Sequence, residues 1–173
     1  TKLGRFVQSV GVKPVVYDPA LVEKSIASIG NHLRYIGYYG SQVDTEIELK
    51  KKMVAVTYKV TLGKRFPITS IEYVLPERGE FTHDFLLDTA AATVRIGDFL
   101  SEASLEAESD RSSKVMRNLG YYDFNKNHYF YEADTLSVPG NALLKVSINE
   151  YTRNESPKEA APIRRFYIDS VNI

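Results

Sequence analysis

Apolar residues recur along the chain with two different spacings. Between residues 22 and 36 they lie three or four positions apart, which predicts one stripe of an α-helix. This stripe consists of Val22, Ile26, Ile29, Leu33 and Ile36. Residues 53–63 and 142–151 instead alternate apolar and polar positions, which is typical of strands in a half-buried sheet. The two spacings together predict an α+β fold.

The predicted helix has recognisable ends. It starts with Asp18 followed by Pro19. The carboxylate of Asp18 can accept a hydrogen bond from the first turn, and a proline at the first helical position loses no donor that the helix needs. Gly37 follows the last apolar residue of the stripe, where a residue with positive φ commonly ends a helix.

The sequence around this helix end is repeated. "RYIGYYGS" covers residues 34–41 and "RNLGYYDF" covers residues 117–124, so the two Gly-Tyr-Tyr motifs lie 83 positions apart. The same shift places a second helix start at Ser101 and a second end at Gly120, although Ser109 and Ser112 make the middle of the stripe polar. Because start, length and end all agree, the repeat predicts two modules.

A predicted strand pair follows each Gly-Tyr-Tyr motif, and two related strands open new units. "RFPITSIEY" from Arg65 and "RFYIDSVNI" from Arg165 match at a shift of 100 positions. With another helix predicted in "FTHDFLLDTAAATV", residues 65–152 contain a complete β-α-α-β-β module. Residues 153–164 are predicted to be a linker, and residues 165–173 the first strand of a further module.

Residues 1–64 are predicted to form the same kind of module without its first strand. A short first helix, with Gly11 as a stop, is expected from four apolar residues at helical spacing. These are Leu3, Phe6, Val7 and Val10. "FVQSV" at residues 6–10 is the alternative, as the missing strand itself. We favour the helix, because too few residues separate a strand there from Asp18 for a helix to fit between them.

The charge balance argues against polyanionic partners. Lys plus Arg equal Asp plus Glu at 22 each, so no overall field attracts nucleic acid or an anionic membrane surface. Residues 37–40 spell GxxG, which in a KH module clamps a nucleic-acid backbone, but there the loop lies between two helices and here it enters a strand. No apolar run approaches the length of a membrane span, and the sequence contains no basic-then-apolar leader. It opens on Thr-Lys-Leu without Met. We therefore expect a piece of a longer protein, with any barrel or anchor outside this chain.

The residue types that carry catalysis or bind metals show no convincing pattern. Cysteine is absent, and His32, His83 and His128 are not at metal-ligand spacing. Four acids crowd the second long helix, either as paired acids or as a solvated face that the helix dipole favours. They are Glu102, Glu106, Glu108 and Asp110. We expect no catalytic, cofactor or metal site, and the run of three lysines at 50–52 is most simply a charged hairpin tip.

The order of these motifs resembles the POTRA (polypeptide transport-associated) module. The matching features are "IGDFLSEASL" with Gly97 and Phe99 before the second long helix, "RNLGYYDF" after it, and the hairpin that follows. "VKPVVYD" before the first long helix looks like the periplasmic parts of BamA/TamA-type proteins. The resemblance implies tandem modules, each with a three-stranded mixed sheet against two helices. It also implies a non-enzymatic, periplasmic arm of an outer-membrane assembly protein.

The resemblance further implies a binding mode, in which an open sheet edge takes up unfolded outer-membrane proteins or accessory subunits. With strand order 1-3-2, residues 122–131 are the expected edge strand of the second module. Its candidate binding residues are Tyr122, Phe124, Asn125, Lys126, Asn127, His128, Tyr129 and Phe130. A structural role is expected for Gly37, Tyr38, Tyr39, Gly97, Gly120 and Tyr121. An enzyme fragment that uses the acidic cluster and a docking arm for partner lipoproteins remain alternatives, and self-association is expected through the C-terminal strand.

Overall fold

Two α+β units follow one another along the chain. The computed structural model describes residues 16–77, 79–152, 154–155, 157 and 161–170. Module one, the unit before residue 65, contains helix α1 (Pro19–Tyr35) and strands β1 (Gln42–Lys50) and β2 (Met53–Thr61). The short helix predicted at residues 3–10, its alternative as a strand, and the absence of an opening strand concern a segment that lies outside the described residues.

Module two has the predicted order β-α-α-β-β. Its strands are β3 (Ile68–Val74), β4 (Tyr129–Asp134) and β5 (Ala142–Ile148). Its helices are α2 (Glu80–Asp88) and α3 (Glu102–Asn118), with short 3-10 turns at Thr89–Ala91 and Lys126–His128. The sheet order is β3-β5-β4, and β5 pairs in parallel with β3 and antiparallel with β4. This is the mixed sheet with strand order 1-3-2 that the sequence analysis expects.

The two long helices start with side-chain caps, as predicted. Asp18 precedes α1 and accepts a hydrogen bond from the N–H of Ala20 at 2.9 Å. Ser101 precedes α3 and accepts one from the N–H of Ser104 at 3.2 Å. Each cap satisfies a donor that the first turn of a helix leaves without an intrahelical acceptor. Both helices are 17 residues long, so the sequence shift of 83 positions preserves helix length.

The same glycine motif ends both helices. Gly37 has a φ of 94° and Gly120 a φ of 102°, a conformation that costs glycine little. The N–H groups of Gly37 and Tyr38 donate to carbonyls in the last turn of α1 at 2.9 and 2.8 Å. Those of Gly120 and Tyr121 do the same after α3 at 3.0 and 3.1 Å. The repeated Arg-x-aliphatic-Gly-Tyr-Tyr sequence is therefore a repeated helix end.

The core of module two lies between its sheet and its helices. The buried side chains at its centre are Ile68, Phe81, Phe85, Met116, Tyr121, Phe124, Tyr129, Leu144, Val146 and Ile148. The polar middle of the α3 stripe also faces inward, because Ser109, Ser112 and Ser113 are buried. Ser112 donates its hydroxyl hydrogen to Asp88 at the end of α2. The polar positions of this stripe thus remain part of the packed face, where small side chains fit.

The C-terminal tail returns to the glycine motif after α3. The N–H of Phe166 donates to the carbonyl of Gly120 at 2.8 Å, and Arg165 forms ion pairs with Glu80 at 2.8 Å and Asp84 at 3.7 Å. Residues 161–170 belong to no strand of the described structure. The further module that residues 165–173 are predicted to open therefore stays a prediction.

Candidate functional site

The first part of the predicted edge strand is a tight turn. Residues 122–123 form a turn, and Lys126–His128 form a 3-10 helix. Asn125 caps this helix, since its side-chain oxygen accepts a hydrogen bond from the N–H of Asn127 at 2.9 Å. The prediction of a strand over residues 122–128 was wrong. Asparagine offers the backbone a local hydrogen bond that competes with strand pairing, and here that bond is made.

Two of the eight candidate binding residues are buried within this turn. Phe124 is in the core, and the ring of His128 stacks on it with ring centres 5.3 Å apart. His128 Nδ1 lies 3.0 Å from the carbonyl oxygen of Asn149, and Nε2 lies 3.4 Å from that of Asp123. This histidine ties the turn to the chain after β5. Neither ring is a surface contact for a partner.

Lys126 is held by the acids of α3. Its ammonium lies 2.8 Å from Glu106 and 3.6 Å from Asp110. The hydroxyl of Tyr35, from module one, donates to Glu106 at 3.0 Å. The hydrogen bond to Glu106 and the charge of Asp110 raise the pKa of Lys126. The other two acids predicted on this helix are also ion-paired, since Arg34 lies 3.9 Å from Glu102 and Arg111 lies 2.7 Å from Glu108.

The true edge strand is β4, which starts at Tyr129. Tyr129 is buried in the core, and Tyr131 packs against the core while its hydroxyl donates to the carbonyl of Leu105 at 3.0 Å. Phe130 meets Tyr151 with ring centres 5.5 Å apart. Tyr129 and Phe130 are therefore the two candidate binding residues that lie in the edge strand, and the rest precede it.

One hydrogen bond at the start of β4 shows which backbone N–H groups of this strand point to β5. The N–H of Asn149 donates to the carbonyl of His128 at 3.1 Å, in the register that pairs Tyr129 with Ile148. Directly opposed pairs in an antiparallel ladder alternate between bonded and non-bonded. The backbone N–H and C=O of Glu132 therefore point to β5, and the backbone N–H and C=O of Ala133 point away from it. On the other side of β5, Ala142 donates to the carbonyl of Pro67 at 2.9 Å, which agrees with this alternation.

The paired tyrosines of the repeat take different positions in the two modules. Tyr121 is buried, and its hydroxyl donates to Asp84 at 2.9 Å, whereas Tyr122 is exposed. Burial, with this hydrogen bond, raises the pKa of Tyr121. In module one, Tyr38 and Tyr39 are both half-buried. Neither pair begins a strand, although Tyr39 forms an isolated antiparallel bridge with Lys64.

Gly97 helps to cover one end of β3. Its φ is 98°, and its N–H donates to the carbonyl of Ile68 at 2.8 Å. The N–H of Ile68 donates in turn to the carbonyl of Asp98 at 2.8 Å, and Pro67 forms an isolated bridge with Phe99. The Gly-Asp-Phe segment before α3 thus pairs with the start of β3 and leaves less of that strand open.

Arg111 organises a cluster of charges that sequence reasoning did not find. Its guanidinium donates to both carboxylate oxygens of Asp88, at 2.8 and 2.9 Å, and to both of Glu108, at 3.0 and 2.7 Å. Burial alone would raise the pKa of Glu108, but hydrogen bonds from Arg111 and Thr93 outweigh it and lower that pKa. The i,i+3 spacing of Glu108 and Arg111 was a visible signal. Asp88, 23 positions earlier, gave none.

The described residues offer no arrangement for a bound metal. In that part of the chain, no group of three or more His, Asp or Glu side chains could hold an ion. Each helix of the described structure is also too short or too polar to cross a membrane.

A protein-family model matches the first part of the chain. The POTRA family model, described as surface antigen variable number repeat, matches residues 6–63. Residues 6–63 are therefore similar to a POTRA module. No curated protein matches the chain.

A solved structure resembles most of this chain. The crystal structure of Haemophilus influenzae BamA POTRA3-5 matches with a TM-score of 0.50 and 16% identity, over 80% of this chain and 53% of that chain. This chain thus spans about half the length of that structure. At this identity the likeness shows the fold, and it supports a POTRA-like module two.

Two other solved structures show a weaker similarity. BamA from Haemophilus ducreyi lacking POTRA domains 1-3 matches with a TM-score of 0.42 and 14% identity, over 86% of this chain and 27% of that chain. The N-terminal domain of Omp85 from the cyanobacterium Thermosynechococcus elongatus matches with a TM-score of 0.35 and 16% identity, over 76% and 53%.

Proposed function

We propose that this chain is a periplasmic POTRA region of an outer-membrane β-barrel assembly or translocation protein, without enzymatic activity of its own. In this role it binds unfolded outer-membrane proteins or accessory subunits, and an extended segment of the partner adds to the outer side of β4. The observation that carries the proposal is the sheet order β3-β5-β4, which makes β4 an outermost strand. Main-chain hydrogen bonds at such an edge recognise extended chains with little regard to sequence.

The other outermost strand of module two is a poorer candidate. The start of β3 pairs with the Gly-Asp-Phe segment before α3, and its ladder with β5 shifts register between Ile68 and Ser70. A bulge of this kind twists an edge and discourages a regular added strand. On β4, the pairing with β5 is continuous from Tyr129 to Asp134. This continuity favours β4.

The alternatives receive less support from the geometry. The acids suggested for an enzyme are occupied: Glu106 and Asp110 face Lys126, and Glu108 is bonded to Arg111 and Thr93. A general acid or base needs a group that can reach a substrate proton. A docking arm for partner lipoproteins has no supporting observation of its own among the described residues.

The outward N–H of Ala133 gives a direct test. Ala133→Pro removes this donor and leaves the ladder with β5 intact, because an outer strand tolerates proline where the N–H faces away. We expect peptides copied from strands of an outer-membrane barrel to bind several-fold more weakly, as measured by fluorescence anisotropy, with little change in the thermal melt. Ala133→Thr is the matched control: it keeps the donor in a residue that favours strands, and should bind like the parent.

A second proline distinguishes a lost binding edge from a lost fold. Glu132→Pro removes an N–H that is directed at β5, so it should lower the melting temperature clearly. Equal binding by the parent and by a folded Ala133→Pro variant would contradict strand addition at this edge. The similarity of residues 6–63 to the POTRA family model would be unaffected by that result.

A further inference from the structure

A groove lies beside the open edge of β4, on the side of the sheet that the helices cover. Its volume is about 380 Å³, and its walls come from α1, α3, the turn before β4 and β4 itself. The hydroxyl of Tyr131 donates to the carbonyl of Leu105 at 3.0 Å, which holds the tyrosine ring between strand and helix. The groove is lined by Tyr35, Glu102, Leu105, Glu106, Ser109, Lys126, Asn127 and Tyr131.

A strand added to β4 presents side chains to this groove at every second position. Successive side chains of a strand point to opposite faces of the sheet. Tyr131 is on the face that packs against the core, whereas its neighbour Glu132 is on the other face and is exposed. Partner side chains on the same face as Tyr131 therefore meet the groove between β4 and α3. In strand addition, pockets for alternate side chains supply the specificity that main-chain hydrogen bonds lack.

The walls of the groove combine aromatic rings with carboxylates. Tyr35 and Tyr131 supply the rings, Leu105 supplies an aliphatic surface, and Glu102 and Glu106 supply negative charge. Aromatic faces and carboxylates both attract cations, and an aliphatic surface suits the stem of a long basic side chain. The lining thus favours a basic side chain over a neutral or acidic one.

Glu102 is the carboxylate that is better placed to meet a bound cation. Its side chain is 58% exposed, and its ion pair with Arg34 is long, at 3.9 Å. Glu106, in contrast, accepts hydrogen bonds from Lys126 at 2.8 Å and from the hydroxyl of Tyr35 at 3.0 Å. Lys126 offsets the charge at its own end of the groove, so the end at Glu102 is the more negative one.

The groove does not follow from the sequence repeat. At the shift of 83 positions that relates the two long helices, Glu102 corresponds to Pro19 and Tyr35 corresponds to Asn118. The carboxylate and the aromatic wall are thus particular to this place in the chain. Tyr35 belongs to module one and β4 to module two, so the groove needs both modules.

We propose that this groove selects a long basic side chain, arginine before lysine, from the extended segment that adds to β4. The inference rests on the proposed strand addition and defines its partner as a segment with a basic residue on the helix side of the sheet. The basic group meets Glu102 and a tyrosine ring, and its stem packs against Leu105. Charge complementarity at Glu102 is the argument for this occupant. Arginine is preferred because its planar guanidinium stacks on rings and binds a carboxylate through two N–H groups.

Peptides that differ at one position test this preference on the 1–173 chain. Each is copied from a strand of an outer-membrane barrel, with arginine, its neutral isostere citrulline, or glutamate at one central position. Two adjacent positions are tried in turn, because only one of them faces the groove. Fluorescence anisotropy should show the arginine peptide binding about three- to fivefold more tightly than the citrulline peptide, the upper part of the range for an exposed ion pair. The glutamate peptide should bind most weakly, and added salt should reduce the differences.

Changing the charge of Glu102 should move this preference without removing binding. Glu102→Gln should bring the arginine and citrulline peptides to nearly equal affinity, and Glu102→Lys should make the glutamate peptide the tightest ligand. Glu72→Gln is the matched control, because it removes an exposed carboxylate from β3, the other outermost strand of module two. It should leave the preference unchanged. A thermal melt checks that each variant remains folded.

The outcomes separate this inference from strand addition itself. If the arginine and citrulline peptides bind equally well and Ala133→Pro weakens both, the strand edge is used but the groove selects nothing. A preference for arginine that survives in Glu102→Gln would refute the role of the groove. If none of the peptides binds the parent chain, strand addition at β4 and the selection of a basic side chain both fail.

Discussion

Arg111 provides the sharpest test of what holds module two together. Its guanidinium makes four hydrogen bonds to Asp88 and Glu108, whose side chains are only 7% and 12% exposed. The bonds raise the pKa of Arg111, so the cation is permanent. Arg111→Met keeps much of the aliphatic stem and removes the charge. Two carboxylates then remain largely buried without their cation.

The expected loss of stability is large for a single change. Removing one partner of a buried ion pair costs about 3–5 kcal/mol. Since 24% of the Arg111 side chain is exposed and water can reach the site, we expect the lower end, about 3 kcal/mol. For a module of this size, each kcal/mol lowers the melting temperature by about 4–8 °C, which gives a decrease of about 12–24 °C.

Unfolding of module two should be followed separately from that of module one. Urea titration monitored by the amide NMR signals of β5 reports this module alone, which avoids assuming a single transition for the whole chain. Arg117→Met is the control, because Arg117 lies on the same helix and is exposed. It removes a cation near the C-terminus of α3, and should cost under about 1 kcal/mol.

A combined variant tests the physical reason for the loss. Arg111→Met together with Asp88→Asn and Glu108→Gln removes the charges on both sides, so it should recover most of the stability. The uncompensated carboxylates are then absent. A loss below about 1 kcal/mol for Arg111→Met would show that the cluster is well solvated despite its burial. No recovery in the combined variant would show that packing, and not charge, was lost.

Three further outcomes follow from local geometry. Gly37→Ala should destabilise the chain by more than about 1–2 kcal/mol, because φ is 94° and a Cβ would lie 2.5 Å from the carbonyl oxygen of Leu100. Gly30 lies within α1 with open space around it, so Gly30→Ala should instead stabilise the chain by about 0.5–1 kcal/mol in a urea titration. The pKa of Glu108 is lowered on folding. Its contribution to the free energy of unfolding is therefore present above the unfolded pKa of about 4.3 and is lost as pH falls through the lower folded value. Glu108→Gln should make stability depend less on pH in this acid range. Tyr121→Phe removes the hydrogen bond to α2 and should cost about 1 kcal/mol in a thermal melt, and an unchanged melt would show that this bond is dispensable.

The features that could be predicted from the sequence are those encoded by neighbouring residues. The cap at Asp18 and the left-handed Gly120 depend on a few residues and their intrinsic preferences, so the helix ends were found correctly. The turn at 122–128 combines the local cap of Asn125 with burial of Phe124 against Phe81 of α2, a distant contact that alternation along the chain does not reveal. Glu108 looks like Glu106 in sequence, and only the fold places one beside Arg111 and the other beside Lys126.

The order of strands in module two also governs when this module can form during synthesis. Strands β3 and β4 have no ladder with each other, and each pairs with β5. β5 is the last of the three to emerge, so a growing chain that stops before Ala142 contains both outer strands and no sheet to join them. Pairings over such sequence separations form slowly and expose apolar segments meanwhile. Module two therefore stays without its sheet, with its outer strands unpaired, until residues 142–148 have been synthesised.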